Sequence, residues 1–100
     1  MRPNQRLMHM EEPFEIPIDG VLDLHAFRPQ DVKEVLLEYL EQCRRRGILE
    51  VRVVHGKGIG QLRQTVHTLL ARQEWVISFS LATEPFGGAG ATFVHLRAAQ

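Results

Sequence analysis

Apolar residues in the middle of the chain recur at the spacing of one helix face. Val32, Val35, Leu36, Tyr39, Leu40 and Cys43 stand at i, i+3, i+4, i+7, i+8 and i+11, which predicts an amphipathic helix over Gln30 to Arg46. Its ends agree with its middle. Pro29 suits a first turn, Asp31 the positive N-terminal end and Arg44 to Arg46 the negative C-terminal end, while Gly47 can take the left-handed terminating conformation. Leu62, Val66, Leu69 and Leu70 predict a shorter second helix over Gln61 to Gln73.

Four other segments read as strands. Val21 to Leu24, after the turn signal Asp19-Gly20, is short and apolar apart from Asp23, the pattern of a buried parallel-type strand ending near His25. Leu49 to Val54 is rich in β-branched residues and runs into His55-Gly-Lys-Gly-Ile-Gly60. Val76 to Leu81 alternates Ile77, Phe79 and Leu81 with Ser78 and Ser80, and Ala91 to Leu96 follows Pro85-Phe-Gly-Gly-Ala-Gly90. The order is β-α-β-α-β-β. Right-handed crossovers then put both helices on one face of the sheet, giving an α/β fold built as a two-layer α/β sandwich. By alternation Leu22, Leu24, Ile77, Phe79, Leu81, Val94 and Leu96 should face the helices, leaving Asp23, Phe93 and His95 on the open side.

Residues 1–19 differ in kind. Pro3, Pro13 and Pro17 interrupt them and charges of both signs are mixed, so they read as an N-terminal arm preceding a domain over 20–100. Phe14, Ile16 and Ile18 could lie against the body as a short extended stretch, with the first dozen residues mobile.

Composition narrows the partners. Twelve Lys plus Arg balance twelve Asp plus Glu, so the formal charge is zero and no bulk field draws the molecule onto DNA or anionic lipid. Any nucleic-acid contact must be local. The single cysteine, Cys43, offers neither an internal disulfide nor a zinc pair, which points to a reducing compartment and a cytoplasmic location. No apolar run has the length of a membrane span, and the start MRPNQRLMHMEEP lacks the apolar core of a signal peptide.

The candidate chemistry gathers at strand ends. Asp23 and His25 are two apart at the carboxyl end of the first strand, close enough for the carboxylate to orient the imidazole. The alternative is a turn-capping Asp beside a satisfied polar His. In parallel βα units the ligand crevice lies at the strands' carboxyl ends, where His55 and Lys57 also fall. In HGKGIG, glycines between a strand and a helix let backbone N–H groups converge on an anion, helped by the Lys57 ammonium, so the segment reads as a phosphate cradle. A plain flexible turn is the competing reading. Neither the Walker A pattern nor the dinucleotide fingerprint is present. Gly87, Gly88 and Gly90 form a second glycine-rich loop, uninformative by itself. His9 and His67 receive no role, Arg44 to Arg46 read as a helix end, and Cys43 reads as inert core.

Taken together, Leu22-Asp-Leu-His25, His55-Gly-Lys-Gly58 with Gly60, Leu62 and Arg63, and Gly87-Gly-Ala-Gly-Ala-Thr92 resemble the ordered motifs of the Smr (small MutS-related) domain family. The resemblance covers about residues 20–97 and suggests a small stand-alone member. It implies a mixed four-stranded sheet in the order 1-2-4-3, the last strand running against the others, with two helices on one face. It also implies endonuclease activity, the nicking or cleaving of the phosphodiester backbone of DNA or RNA, in some members on stalled ribosomes. Carried over by position, it puts Asp23, His25, His55 and Lys57 in the catalytic centre, and Gly56, Lys57, Gly58, Gly60, Arg63, Gly88 and Gly90 at the nucleic-acid surface. Ala26 departs from the pattern, the family usually having glycine after LDLH. Because alanine resists a left-handed backbone, either the loop differs or the position never needed that conformation.

On this reading Lys57 and the loop amides hold the scissile phosphate, while His25, oriented by Asp23, and His55 divide the proton transfers. A divalent cation, Mg or Mn, could sit on Asp23, although one carboxylate makes a poor dedicated cage. The main rival is a binding module that holds DNA, RNA or a ribosomal surface in the same cradle without chemistry. A third reading, a protein-docking domain using Phe93 and the open sheet face, ranks lowest.

Overall fold

The structure is a computed structural model and describes residues 16–99. The expected packing of Phe14 and mobility of the first dozen residues lie outside the described residues. Four strands, β1 (Val21–Asp23), β2 (Glu50–Val54), β3 (Val76–Leu81) and β4 (Ala91–Leu96), form one sheet in the order β1-β2-β4-β3. β1 and β2 are parallel, and β4 runs antiparallel to both β2 and β3. The helices are α1 (Val32–Arg45) and α2 (Gln61–Ala71). This is the expected mixed sheet, with both helices contributing to a single core.

That core follows the sequence pattern. All six stripe residues of α1, from Val32 to Cys43, are buried against Leu22, Leu24, Val51, Val53, Val94 and Leu96 of the sheet side and against Val66, Leu69 and Leu70 of α2. Truncating one such leucine to alanine typically costs about 2–5 kcal/mol. Gly47, at φ 77°, ends α1 as the sequence suggests. The start of α1 is tighter than expected: Pro29–Asp31 forms a separate 3-10 turn, and Asp31 pairs with Arg28 at 3.1 Å instead of capping the helix.

Tyr39 ties α1 to the entry of β1. Its hydroxyl accepts from the Gly20 amide at 3.0 Å and lies 3.1 Å from the Val21 carbonyl, to which it can donate. Burial pushes the phenol pKa up, as it pushes the Cys43 thiol up to about 11, so both groups are neutral near pH 7. Ile16 and Ile18 pack against the core edge.

β3 departs from simple alternation. Val76 opposes Leu96 but Ser78 opposes His95, so Ile77 is the extra residue of a β-bulge and is 53 % exposed. Leu81 shares the helix-facing register with Thr92, yet its place on an edge strand leaves it exposed too. The expectation that Ile77 faces the helices is therefore corrected, while Leu81 keeps the expected side but is left uncovered. Phe79, opposite Val94, keeps its place beside the core. No described helix is long and apolar enough to cross a membrane.

Candidate nucleic-acid site at the strand ends

The two parallel strands β1 and β2 end side by side, and each is followed at once by a motif. After β1, Leu24–Ala26 makes a 3-10 turn with Asp23 as its cap. Asp23 Oδ1 accepts from the His25 amide at 2.9 Å and meets His25 Nδ1 at 2.9 Å. A carboxylate only accepts, so Nδ1 carries the proton and a neutral His25 keeps its lone pair on Nε2. Both side chains are more than half exposed. Ala26 sits in the same right-handed turn, which alanine adopts without strain, so its departure from glycine has no backbone cost here.

His25 Nε2 points across to the second motif. A Cβ on Gly56 would lie 2.5 Å from it, and Gly56 is itself left-handed at φ 83°. Glycine is required there twice over, for backbone conformation and for the closeness of the imidazole.

His55, by contrast, is 4 % exposed. Its Nδ1 lies 3.0 Å from the Gly56 carbonyl, which can only accept, and its Nε2 lies 2.8 Å from Thr92 Oγ1. Thr92 Oγ1 is also 2.8 Å from His67 Nε2. One proton arrangement satisfies all three contacts with neutral rings: His55 Nδ1 donates to Gly56, Thr92 donates to His55 Nε2, and His67 Nε2–H donates to Thr92. Burial first, then the neighbouring His55 and Arg63, lower the His67 pKa, which favours the neutral ring this chain needs. The expected pairing of His25 and His55 as two proton-transfer groups is thus not what the geometry presents. Both His55 nitrogens are committed to the protein's own framework.

The glycine loops are laced together through Gly90. Its carbonyl accepts from the His55 amide at 2.9 Å and the Gly56 amide at 2.8 Å, so Gly56 does not offer its N–H to a ligand. The amides of Lys57 to Gly60 donate to no backbone acceptor among the described residues, and Gly60, left-handed at φ 87°, leads into α2 without a side-chain cap. The first amides of a helix have no partner within it and attract anions. Arg63 folds back over Gly60, its Nη2 2.9 Å from where a Cβ would be. A pocket of ≈ 160 Å³ runs along Gly56, Gly58, Ile59, Gly60 and Arg63. Lys57 is exposed beside it and has no acidic partner among the described residues. Gly58 is exposed and open on all sides.

Gly88 and Gly90 are buried, not displayed. Gly88 lies under the Glu84 carboxylate, and Gly90 lies against Gly56 and the Lys57 stem. Their lack of side chains lets the loops close on one another. Arg44 to Arg46 lie at the other end of the sheet, where Arg44 and Arg45 pair with Glu41 and Arg44 stacks 5.0 Å above the Trp75 ring.

Among the described residues no three His, Cys, Asp or Glu side chains converge as metal ligands, and Asp23 has one oxygen already engaged by His25. The residues present do not make a dedicated cation cage. Sequence reading missed Thr92 and His67. Thr92 has the parity of Val94 and Leu96 in β4, which marks a hydroxyl aimed into the core and in need of a partner.

A fold of this topology, with LDLH and HGKG loops meeting at the strand ends, defines a small α/β domain. The family model of the Smr domain matches residues 22–97, and the chain belongs to the Smr domain family. The crystal structure of the Smr domain of Thermus thermophilus MutS2 is similar at a TM-score of 0.74 and 35 % identity, covering 79 % of this chain and 99 % of that one. YdaL, a stand-alone small MutS-related protein from Escherichia coli, has a TM-score of 0.74 at 25 % identity, over 81 % of this chain and 66 % of that one. Among curated relatives, Endonuclease MutS2 of Halothermothrix orenii is 34 % identical over 80 residues, which are 80 % of this chain and 10 % of the relative. Endonuclease MutS2 of Thermus thermophilus is 45 % identical over 69 residues, 66 % of this chain and 9 % of the relative. The matched part thus spans about a tenth of those curated relatives.

Proposed function

We propose that this domain is an endonuclease that hydrolyses the phosphodiester backbone of DNA or RNA. The observation that carries the reading is the position of His25 Nε2. It has no hydrogen-bond partner among the described residues, its ring is held by Asp23, and it stands against Gly56 at the lip of a loop whose remaining amides, with Lys57 and Arg63, suit a phosphate. The relatives named as endonucleases carry the same domain.

In this reaction Lys57, Arg63 and the loop amides bind the scissile phosphate and offset the charge that builds on its oxygens. His25 Nε2 takes a proton from the attacking water as that oxygen bonds to phosphorus. The opposite phosphorus–oxygen bond breaks, and the departing oxygen takes a proton from solvent at this open edge. Asp23 keeps the ring in the tautomer that can do this and stabilises the imidazolium formed. His55 acts through the framework, holding Gly56 and hence the loop in place.

A second reading, a binding module without chemistry, is favoured by the burial of His55, which leaves one histidine rather than two facing the phosphate. Cleavage of supercoiled plasmid and of single-stranded RNA by the protein and its His25→Ala variant, with and without chelator, separates the two. Cleavage lost in the variant supports the enzyme, and the chelator arm reports any metal need. Equal trace cleavage by both proteins removes the enzyme and leaves the phosphate clamp.

A further inference from the structure

The sheet face away from the helices carries a second surface beside this site. Strand register aligns Val21, Arg52, Phe93 and Ser80 in one row across all four strands. Phe86, from the loop between β3 and β4, leans over Phe93 with ring centroids 5.8 Å apart at 58°, and is itself 52 % exposed. Arg52 Nη1 donates to the Phe86 carbonyl at 3.3 Å and has no carboxylate partner among the described residues. The loop can lie this close because Gly87, left-handed at φ 112°, has no side chain where a Cβ would meet Ala91 at 2.9 Å. On this face the next row toward the strand ends, two residues along each strand, is Asp23, Val54 and Ala91, so the row of Phe93 adjoins that of the carboxylate that holds His25.

We infer that Phe86 and Phe93, with Arg52, form a stacking platform for unpaired bases flanking the phosphate in the cradle, which makes the substrate a single-stranded segment of polynucleotide. This rests on the nucleic-acid reading of the cradle and adds the strand state of its ligand. An exposed aromatic face beside a guanidinium with no carboxylate partner among the described residues suits a base next to its phosphate, and a base inside a duplex cannot present that face. A second copy of the chain suits it less, because Arg52, Ser80, Ser78 and His95 break up the face with polar groups. Zero net charge points the same way, because affinity that the overall field does not supply can come from stacking.

The test uses the full chain with fluorescein-labelled single-stranded oligothymidine, oligouridine and a hairpin duplex of equal length, read by anisotropy. The wild type should bind the single strands more tightly than the duplex. Phe86→Ala should weaken single-strand binding about 10-fold and leave duplex binding nearly unchanged. Phe86→Trp should restore it, with the new indole fluorescence quenched on binding beyond the Trp75 background. Equal binding by Phe86→Ala and wild type, while Lys57→Ala loses binding to every probe, overturns the platform and leaves the phosphate cradle standing. No binding of any probe by the wild type defeats both. A concentration-dependent dimer that Phe86→Ala abolishes would assign the face to a second copy and overturn the inference.

Discussion

The two histidines that follow the parallel strands stand at different offsets, His25 two residues after Asp23 and His55 one after its register partner Val54, and in opposite physical states. His25 is exposed, with one nitrogen tied to Asp23 and the other, beside Gly56, without a hydrogen-bond partner among the described residues. His55 is buried, with one nitrogen tied to Gly56 and the other to Thr92. A free nitrogen on a held ring can exchange protons with a ligand, whereas a ring with both nitrogens committed can only hold its surroundings still. Position at a strand's carboxyl end therefore does not make a histidine reactive.

The largest effect expected from this contrast is on His25. His25→Ala should lower cleavage by about 10²–10⁴-fold with the melting temperature unchanged; full activity in that variant would remove His25 from the reaction. His55→Ala should do the reverse, costing about 2–4 kcal/mol in denaturant unfolding because it opens a cavity and strands the Thr92 hydroxyl. An unchanged unfolding midpoint would show that the buried network carries no stability. Gly56→Ala couples the two rings. It forces a left-handed alanine and displaces His25 Nε2, so both activity and stability should fall, the latter by about 1–2 kcal/mol. Gly58→Ala, at an ordinary φ in open space, serves as its control and should stay within about 0.5 kcal/mol of wild type.

Smaller effects sharpen the picture. Lys57→Ala should weaken binding broadly across sequences and reduce the slope of log affinity against log salt by about one, measured in a salt titration. The smallest concerns His67. Its pKa is lowered in the folded state, so the folded protein resists protonation that the unfolded chain accepts. Its contribution is intact above the ordinary histidine value of 6.5 and is lost as pH falls below it toward the folded value. Melting temperature against pH should therefore drop on the acid side of 6.5, less steeply in His67→Gln.

Much of the fold was legible in the chain because its signals are local. The stripe from Val32 to Cys43 and the boundaries Val76–Leu81 and Ala91–Leu96 were read from spacing and turn residues, and the structure has them. Ile77 was misplaced because alternation assumes an unbroken ladder, and a bulge is set by how β3 meets β4. In the site, the closeness of Asp23 and His25 was readable from two-residue spacing. The link from Gly90 to Gly56 and the chain from His55 through Thr92 to His67 were not, since each joins residues more than twenty positions apart.

The set of elements, the stripe that becomes the core and the motifs at the strand ends follow from local sequence, because periodicity and backbone preference act over a few residues. Long-range packing settles which histidine has both nitrogens committed, which glycines lie buried between loops, and that Arg52 and Phe93 share a row beside Phe86. Those outcomes depend on burial and hydrogen-bond partners supplied by distant strands, and no local pattern encodes a partner that arrives only when the sheet closes.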